Sequence, residues 1–238
     1  MRHDSLVHVA ATGGYGSVFE VHDGVCEVGL IDPTADEYSI TVPQSAVQEM
    51  DPVGDSARAA LLGHLVLFHL RVNWRLRLAL SFEAFAGREE GGALELWAAC
   101  GTSRPRRVAT LSAREESLLT TSLAALSLDA WAPGQAGAAP SFDGWGWSTE
   151  LVGAGVGQSA CGSCPSGEKD GQPLPPGAVP EGLPAVVEAL AGLGLPVAWT
   201  ERGPRATGAP LPQAPQPEDD AGEAEGPALP FDLGALGL

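Results

Sequence analysis

The sequence predicts an α+β fold: an antiparallel sheet with two or three helices packed on one face, followed by a mostly disordered, Pro/Gly-rich acidic tail. Three observations carry that expectation. Between Arg71 and Phe85, apolar residues (Val72, Trp74, Leu76, Leu78, Leu80, Phe82, Ala84) fall on every second position with Arg71, Asn73, Arg75, Arg77, Ser81 and Glu83 between them, the period of a half-buried strand. From Ser56 to Leu70 apolar residues occur on every helical face, which suits a helix buried on most sides. Beyond residue 132 the composition changes: Pro133–Leu238 holds 16 Pro and 20 Gly, whereas the first 132 residues hold 4 Pro and 11 Gly. Proline removes backbone donors and glycine raises the entropy lost on ordering, so the second half is expected to fold less.

In chain order, Leu6–Ala10, Ser17–His22, Val25–Ile31 and Glu37–Val42 read as short strands, with Asp23-Gly24 marking a tight hairpin between the second and third. Residues 1–50 therefore form a small β-meander. The helix at Ser56–Leu70 leads into the long alternating strand, and Leu94, Leu96 and Ala98 supply its antiparallel partner. Val108–Leu111 is a third strand. Ser112 followed by Glu115 is a capping box, opening a helix to about Leu128. A helix-hairpin-strand-helix core thus spans 55–131, and the compact domain is expected to cover residues 1–150. In its last part, Phe142, Trp145 and Trp147 are suited to dock as one further strand. Residues 151–238 are expected to be a largely disordered tail with a docking helix and strand at 183–200.

The charge is unevenly laid out. Residues 1–56 sum to −9, 57–114 to +5 and 133–238 to −10, within a total of −17. An acidic start and end flank a basic middle. Either the flanks compensate the middle within the molecule, or the middle is an anion-binding face with which the tail competes. No run of apolar residues reaches the roughly 20 needed for a membrane helix. Four cysteines are too few for a disulfide scaffold, which points to a reducing compartment: cytoplasmic, or nuclear in a eukaryote or its virus.

Three motifs bear on chemistry. Ala11-Thr12-Gly13-Gly14-Tyr15-Gly16-Ser17-Val18 resembles the glycine-rich loop of protein kinases. The sole lysine, Lys169, lies far from the position a kinase requires, and no His-Arg-Asp or Asp-Phe-Gly motif occurs, so the stretch is expected to be a glycine-rich turn. Cys161-Gly162-Ser163-Cys164 is similar to the cysteine motif of NifU-type iron–sulfur scaffold domains; that resemblance implies metal or cluster binding, or thiol chemistry, by Cys161 and Cys164. The basic helix that follows in that family has no counterpart here. The third is the basic face: Arg71, Arg75 and Arg77 on one side of the strand, joined by Arg104, Arg106 and Arg107, with Trp97 beside them as a stacking surface.

No hydrolytic elbow, zinc-protease helix or carboxylate pair beside a histidine is visible in the sequence. These features predict a non-enzymatic interaction protein, an adaptor or regulator without a cofactor, that holds other proteins on a sheet face and through its tail. Phe231, Leu233 and Leu236 are the anchors of a terminal docking segment. Open sheet edges also suit a homodimer. The alternatives are a single-stranded nucleic-acid-binding protein with an acidic competing tail, and a CxxC metal or thiol protein.

Overall fold

The computed structural model describes residues 5–50, 55–88, 92–127, 143–166, 168–169, 172–173 and 179–212. The chain begins with five antiparallel strands, β1 (Leu6–Val9), β2 (Gly14–His22), β3 (Val25–Leu30), β4 (Ser39–Pro43) and β5 (Val47–Glu49), arranged β4-β3-β2-β1-β5. The β2–β3 hairpin turns at Asp23 and Gly24 with φ of 46° and 83°, the left-handed pair that the Asp-Gly dipeptide favours. One face of this sheet packs Val7, Val9, Val18, Cys26, Val28 and Val42 against each other, so the layer carries a small core of its own. The kinase-like glycine stretch is the β1–β2 turn and the start of β2, as expected of a glycine-rich hairpin.

Helix α1 (Asp55–Gly63) then leads into β6 (Leu65–Trp74), β7 (Phe82–Gly87), β8 (Glu95–Cys100) and β9 (Arg106–Thr110), and α2 (Ala113–Ala124) follows. A long hairpin, β10 (Asp143–Gly153) and β11 (Val156–Ser166), joins the same sheet, whose order is β11-β10-β6-β7-β8-β9. A two-residue ladder, β12 (Glu168–Lys169) with β13 (Gln172–Pro173), precedes α3 (Leu183–Gly192) and a last hairpin, β14 (Val197–Thr200) with β15 (Gly203–Ala206). On one face of the six-stranded sheet Phe68, Leu70, Val72, Phe82, Leu96 and Trp147 meet Leu61 of α1, Leu119 and Leu123 of α2, and Leu183, Val186 and Leu190 of α3. On the other face Leu67, Phe85 and Val152 meet Leu6 of the first sheet and Ile31 just after β3. The architecture is α+β with mainly antiparallel sheets. Among the described residues no helix is long and apolar enough to cross a membrane.

Two sequence expectations need correction here. The helix expected over Ser56–Leu70 stops at Gly63, and Leu65–Leu70 is strand. A central strand covered on both faces is apolar throughout, and periodicity alone does not separate it from a buried helix. The long strand expected over Arg71–Phe85 is interrupted: β6 ends at Trp74, and Arg75–Ser81 is a connection with a short 3-10 turn at Leu78–Leu80. Ser81 Oγ accepts from Trp74 N at 2.9 Å and closes that hairpin. The alternation of Leu76 and Leu78 runs on through the loop without burying either residue; they are 68% and 55% exposed.

The boundary expected near residue 150 falls inside a hairpin. Val156–Ser166 pairs with β10 along its whole length, and Leu183, Val187, Leu195, Val197, Ala206 and Leu211 belong to the main core. The described residues of the stretch expected as a loose tail are thus packed as far as Leu211. The reason lies in α3: Val186, Val187, Ala189 and Leu190 form a stripe apolar enough to be buried despite the prolines and glycines around it. Gly203 shows how tight the last hairpin sits, since with φ at 111° a Cβ there would come within 2.5 Å of the Trp145 ring. Phe231, Leu233 and Leu236, the expected docking segment, lie outside the described residues.

Candidate functional site

The arginine face expected on one strand divides in two. Arg71 sits in mid-β6 and faces the first sheet, half-buried, with Nε and Nη2 at 3.0 and 2.8 Å from Glu83 Oε1. Its guanidinium lies 5.2 Å from the Tyr38 ring centroid. Arg107 on β9 is paired with Glu95 at 3.0 Å, and Trp97 donates from Nε1 to the same carboxylate at 3.3 Å while packing beside Phe85. Those three residues are held by their own fold. Arg75, Arg77, Arg104 and Arg106 are exposed, and all four lie at one end of the six-stranded sheet.

Backbone contacts assemble that end. Gly101 N donates to Ser81 O at 2.8 Å, which fixes the β8–β9 loop carrying Arg104 against the β6–β7 connection carrying Arg75 and Arg77. Trp74 Nε1 donates to Pro204 O at 2.8 Å and brings in the β14–β15 hairpin. That hairpin adds Arg202 and Arg205, both exposed, which the sequence reading did not include. Arg106 donates to the carbonyl of Leu211, so the described chain ends beside the same loops. Six exposed arginines, with Leu76 and Leu78 projecting among them and Glu201 as the acid in the adjoining turn, occupy one end of a chain of net charge −17. The signal for Arg202 and Arg205 was a turn between two short strands, visible only once those strands are known to lie on Trp74 and Trp145.

A second constellation lies between the two sheets. His69 on β6 is 6% exposed and bonds two carboxylates, Glu150 Oε2 on β10 at 2.7 Å through Nδ1 and Glu83 Oε1 on β7 at 2.8 Å through Nε2. Its ring stacks on Phe85 with centroids 4.4 Å apart. Burial alone would lower the His69 pKa, but the charge and hydrogen bond of Glu150, reinforced by Glu83, push it up to about 9. Burial raises the Glu83 pKa, and the bonds to His69 and Arg71 more than offset that, holding it below the ordinary carboxylate value. With a carboxylate oxygen facing each nitrogen and its own pKa raised, the ring donates from both nitrogens. Such an imidazolium has no lone pair with which to take a proton or bind a metal. The group is a neutral set of four charges, His69 and Arg71 against Glu83 and Glu150. Sequence reading missed it because its members are 81 and 14 residues apart in the chain. The available signal was a histidine in mid-strand, flanked by apolar residues on both sides.

The Cys161 and Cys164 pair, expected as a metal or thiol site, is separated by strand geometry. Both lie on β11, where positions three apart point to opposite faces. Cys164 packs into the core on the helix side, and burial pushes its thiol up to about 11; Cys161 lines the cavity on the other side. The two therefore do not converge on one ion. Among the described residues no three His, Cys, Asp or Glu side chains gather as a metal site.

No protein-family model, curated protein or solved structure matches the chain.

Proposed function

We propose that this is a non-enzymatic interaction protein that recognises an acidic, leucine-bearing segment of another protein on the arginine end of its six-stranded sheet. The observation that carries the reading is the grouping of Arg75, Arg77, Arg104, Arg106, Arg202 and Arg205 around exposed Leu76 and Leu78. Arginine retains its charge at any working pH and forks onto carboxylates, and two projecting leucines give apolar contacts that a carboxylate run alone would not use. Against the net charge of the whole molecule, a local positive end orients an acidic partner and repels contact elsewhere. A non-catalytic role is supported by the imidazolium of His69, the one buried histidine among the described residues, which is locked by two acceptors.

Single-stranded nucleic acid is the reading this competes with, and the exposed apolar groups discriminate. Base stacking uses aromatic rings, whereas the large apolar side chains exposed at this end are leucines. The test is fluorescence anisotropy with two probes, a peptide of alternating Glu and Leu and a single-stranded oligonucleotide of equal charge. The expected result is peptide binding that weakens on adding salt and falls about tenfold in Leu76→Ser/Leu78→Ser, the loss of roughly 1.4 kcal/mol of contact. Oligonucleotide binding that is at least as tight and indifferent to the leucine changes would overturn the proposal in favour of the nucleic-acid reading.

A further inference from the structure

Between the two sheets, beside the His69 cluster, is a cavity of about 140 Å³, partly open to solvent. It is lined by Ser17 and Phe19 of β2, Tyr38 ahead of β4, His69 and Arg71 of β6, Ser148 and Glu150 of β10, and Ser159 and Cys161 of β11. Its volume is that of about five waters in the liquid, enough for a molecule of a few heavy atoms.

We infer that this cavity is a binding site for a small, uncharged, polyhydroxylated molecule. The charges of the wall decide the class. The lining itself holds His69, Arg71 and Glu150, and Glu83, bonded behind His69 and Arg71, brings the four charges to zero, so neither a cation nor an anion is favoured. The hydrogen-bonding groups are mixed. Glu150 accepts; Arg71 carries five N–H donors, of which the bonds to Glu83 use two and Tyr38 takes another; the hydroxyls of Ser17, Ser148 and Ser159 do both. Hydroxyl groups, which donate and accept at the same atom, complement such a wall better than groups of one kind. Phe19 and Tyr38 supply ring faces against which the C–H side of a polyol lies. The polar groups are preorganised: the guanidinium is held by Glu83, and the imidazolium is held at both nitrogens. This site is distinct from the arginine end and does not depend on it.

The experiment is isothermal titration calorimetry of the full chain with three probe sets: ethylene glycol, propane-1,2-diol and glycerol; the zwitterions glycine and serine; and the anions acetate and phosphate. The expected result is saturable, one-to-one heat from at least one polyol and none from the other two sets. Ser159→Leu, which fills the cavity, abolishes that heat. Tyr38→Ala, at an exposed position, weakens it about tenfold, the size of one lost contact, with an unchanged circular-dichroism spectrum showing that the fold survives loss of the Arg71 contact. Tighter binding of a zwitterion or an anion than of any polyol overturns the assigned class. Silence from all three sets at millimolar concentration, or polyol heat unchanged in both variants, overturns the site.

Discussion

Arg71 and Arg75 are four residues apart on one run of sequence, yet the fold uses them in opposite ways. Arg71 is inside the sheet and half-buried; its charge is balanced by Glu83 and shares that carboxylate with His69. Arg75 is one residue past the end of β6, exposed, in a loop with Arg77. The difference follows from register. Position 71 pairs with Glu83 across β6–β7 and with Ser148 across β6–β10, so its side chain enters the space between sheets. Ladder pairing with β7 stops at Val72, and side chains beyond Trp74 leave the sheet. Charges between the sheets are therefore paired within the fold, whereas those past the end of β6 are exposed.

The largest effect that would test this contrast is at His69. His69→Ala leaves Glu150 and Glu83 facing each other without the cation between them, and stability should fall by about 3–5 kcal/mol in urea unfolding. A loss below ~1 kcal/mol would show that the cluster is not a paired, buried unit. Titration of the same ring comes next. Because its pKa is raised from the ordinary 6.5 to about 9 on folding, the stabilisation is fully present below about pH 6.5 and is lost as pH rises through 9. Glu83, depressed, acts in the opposite direction: its contribution is present above the unfolded carboxylate value and disappears as acid protonates the folded state. Unfolding midpoints compared at pH 7 and pH 10 should drop in the native sequence and drop less in His69→Gln; equal drops would remove His69 from the explanation.

Arg71→Met should cost about 1–3 kcal/mol, the value of hydrogen bonds to a charged acceptor, because Glu83 keeps only its histidine. Ser112→Ala, which removes the Oγ that accepts from Glu115 N at the start of α2, should cost about 1 kcal/mol. Arg75→Glu with Arg77→Glu is expected to change stability by no more than ~0.5 kcal/mol, as for exposed positions. A destabilisation of that double variant comparable to Arg71→Met would erase the distinction between the two regions.

Local signals were legible in the sequence wherever one short stretch carried the whole message. The Asp23-Gly24 hairpin, the Ser112 and Glu115 capping box and the alternation within β2 and β3 each read correctly. The long-range part was not. Leu65–Leu70 is apolar because two layers cover it, and nothing in the stretch itself announces the second layer. Leu76 and Leu78 keep a strand's period inside a loop, so pattern alone extended β6 past its end. Trp145 and Trp147 do lie on one further strand, but its partner β11 falls in the glycine-rich stretch expected as tail; glycine at an edge also admits close packing, as at Gly162 against the Trp147 ring. The His69 cluster depends on three strands meeting, and only topology brings them together.

The central claim is that recognition and stability use different arginines. Its most direct test measures both properties on the same two variants, with urea unfolding for stability and anisotropy of the Glu-Leu peptide for binding. Arg71→Met should lose stability and keep peptide affinity within about twofold, while Arg75→Glu/Arg77→Glu should keep stability and lose affinity by at least about tenfold. Equal loss of affinity in both variants, or full affinity in the double variant, would contradict the account.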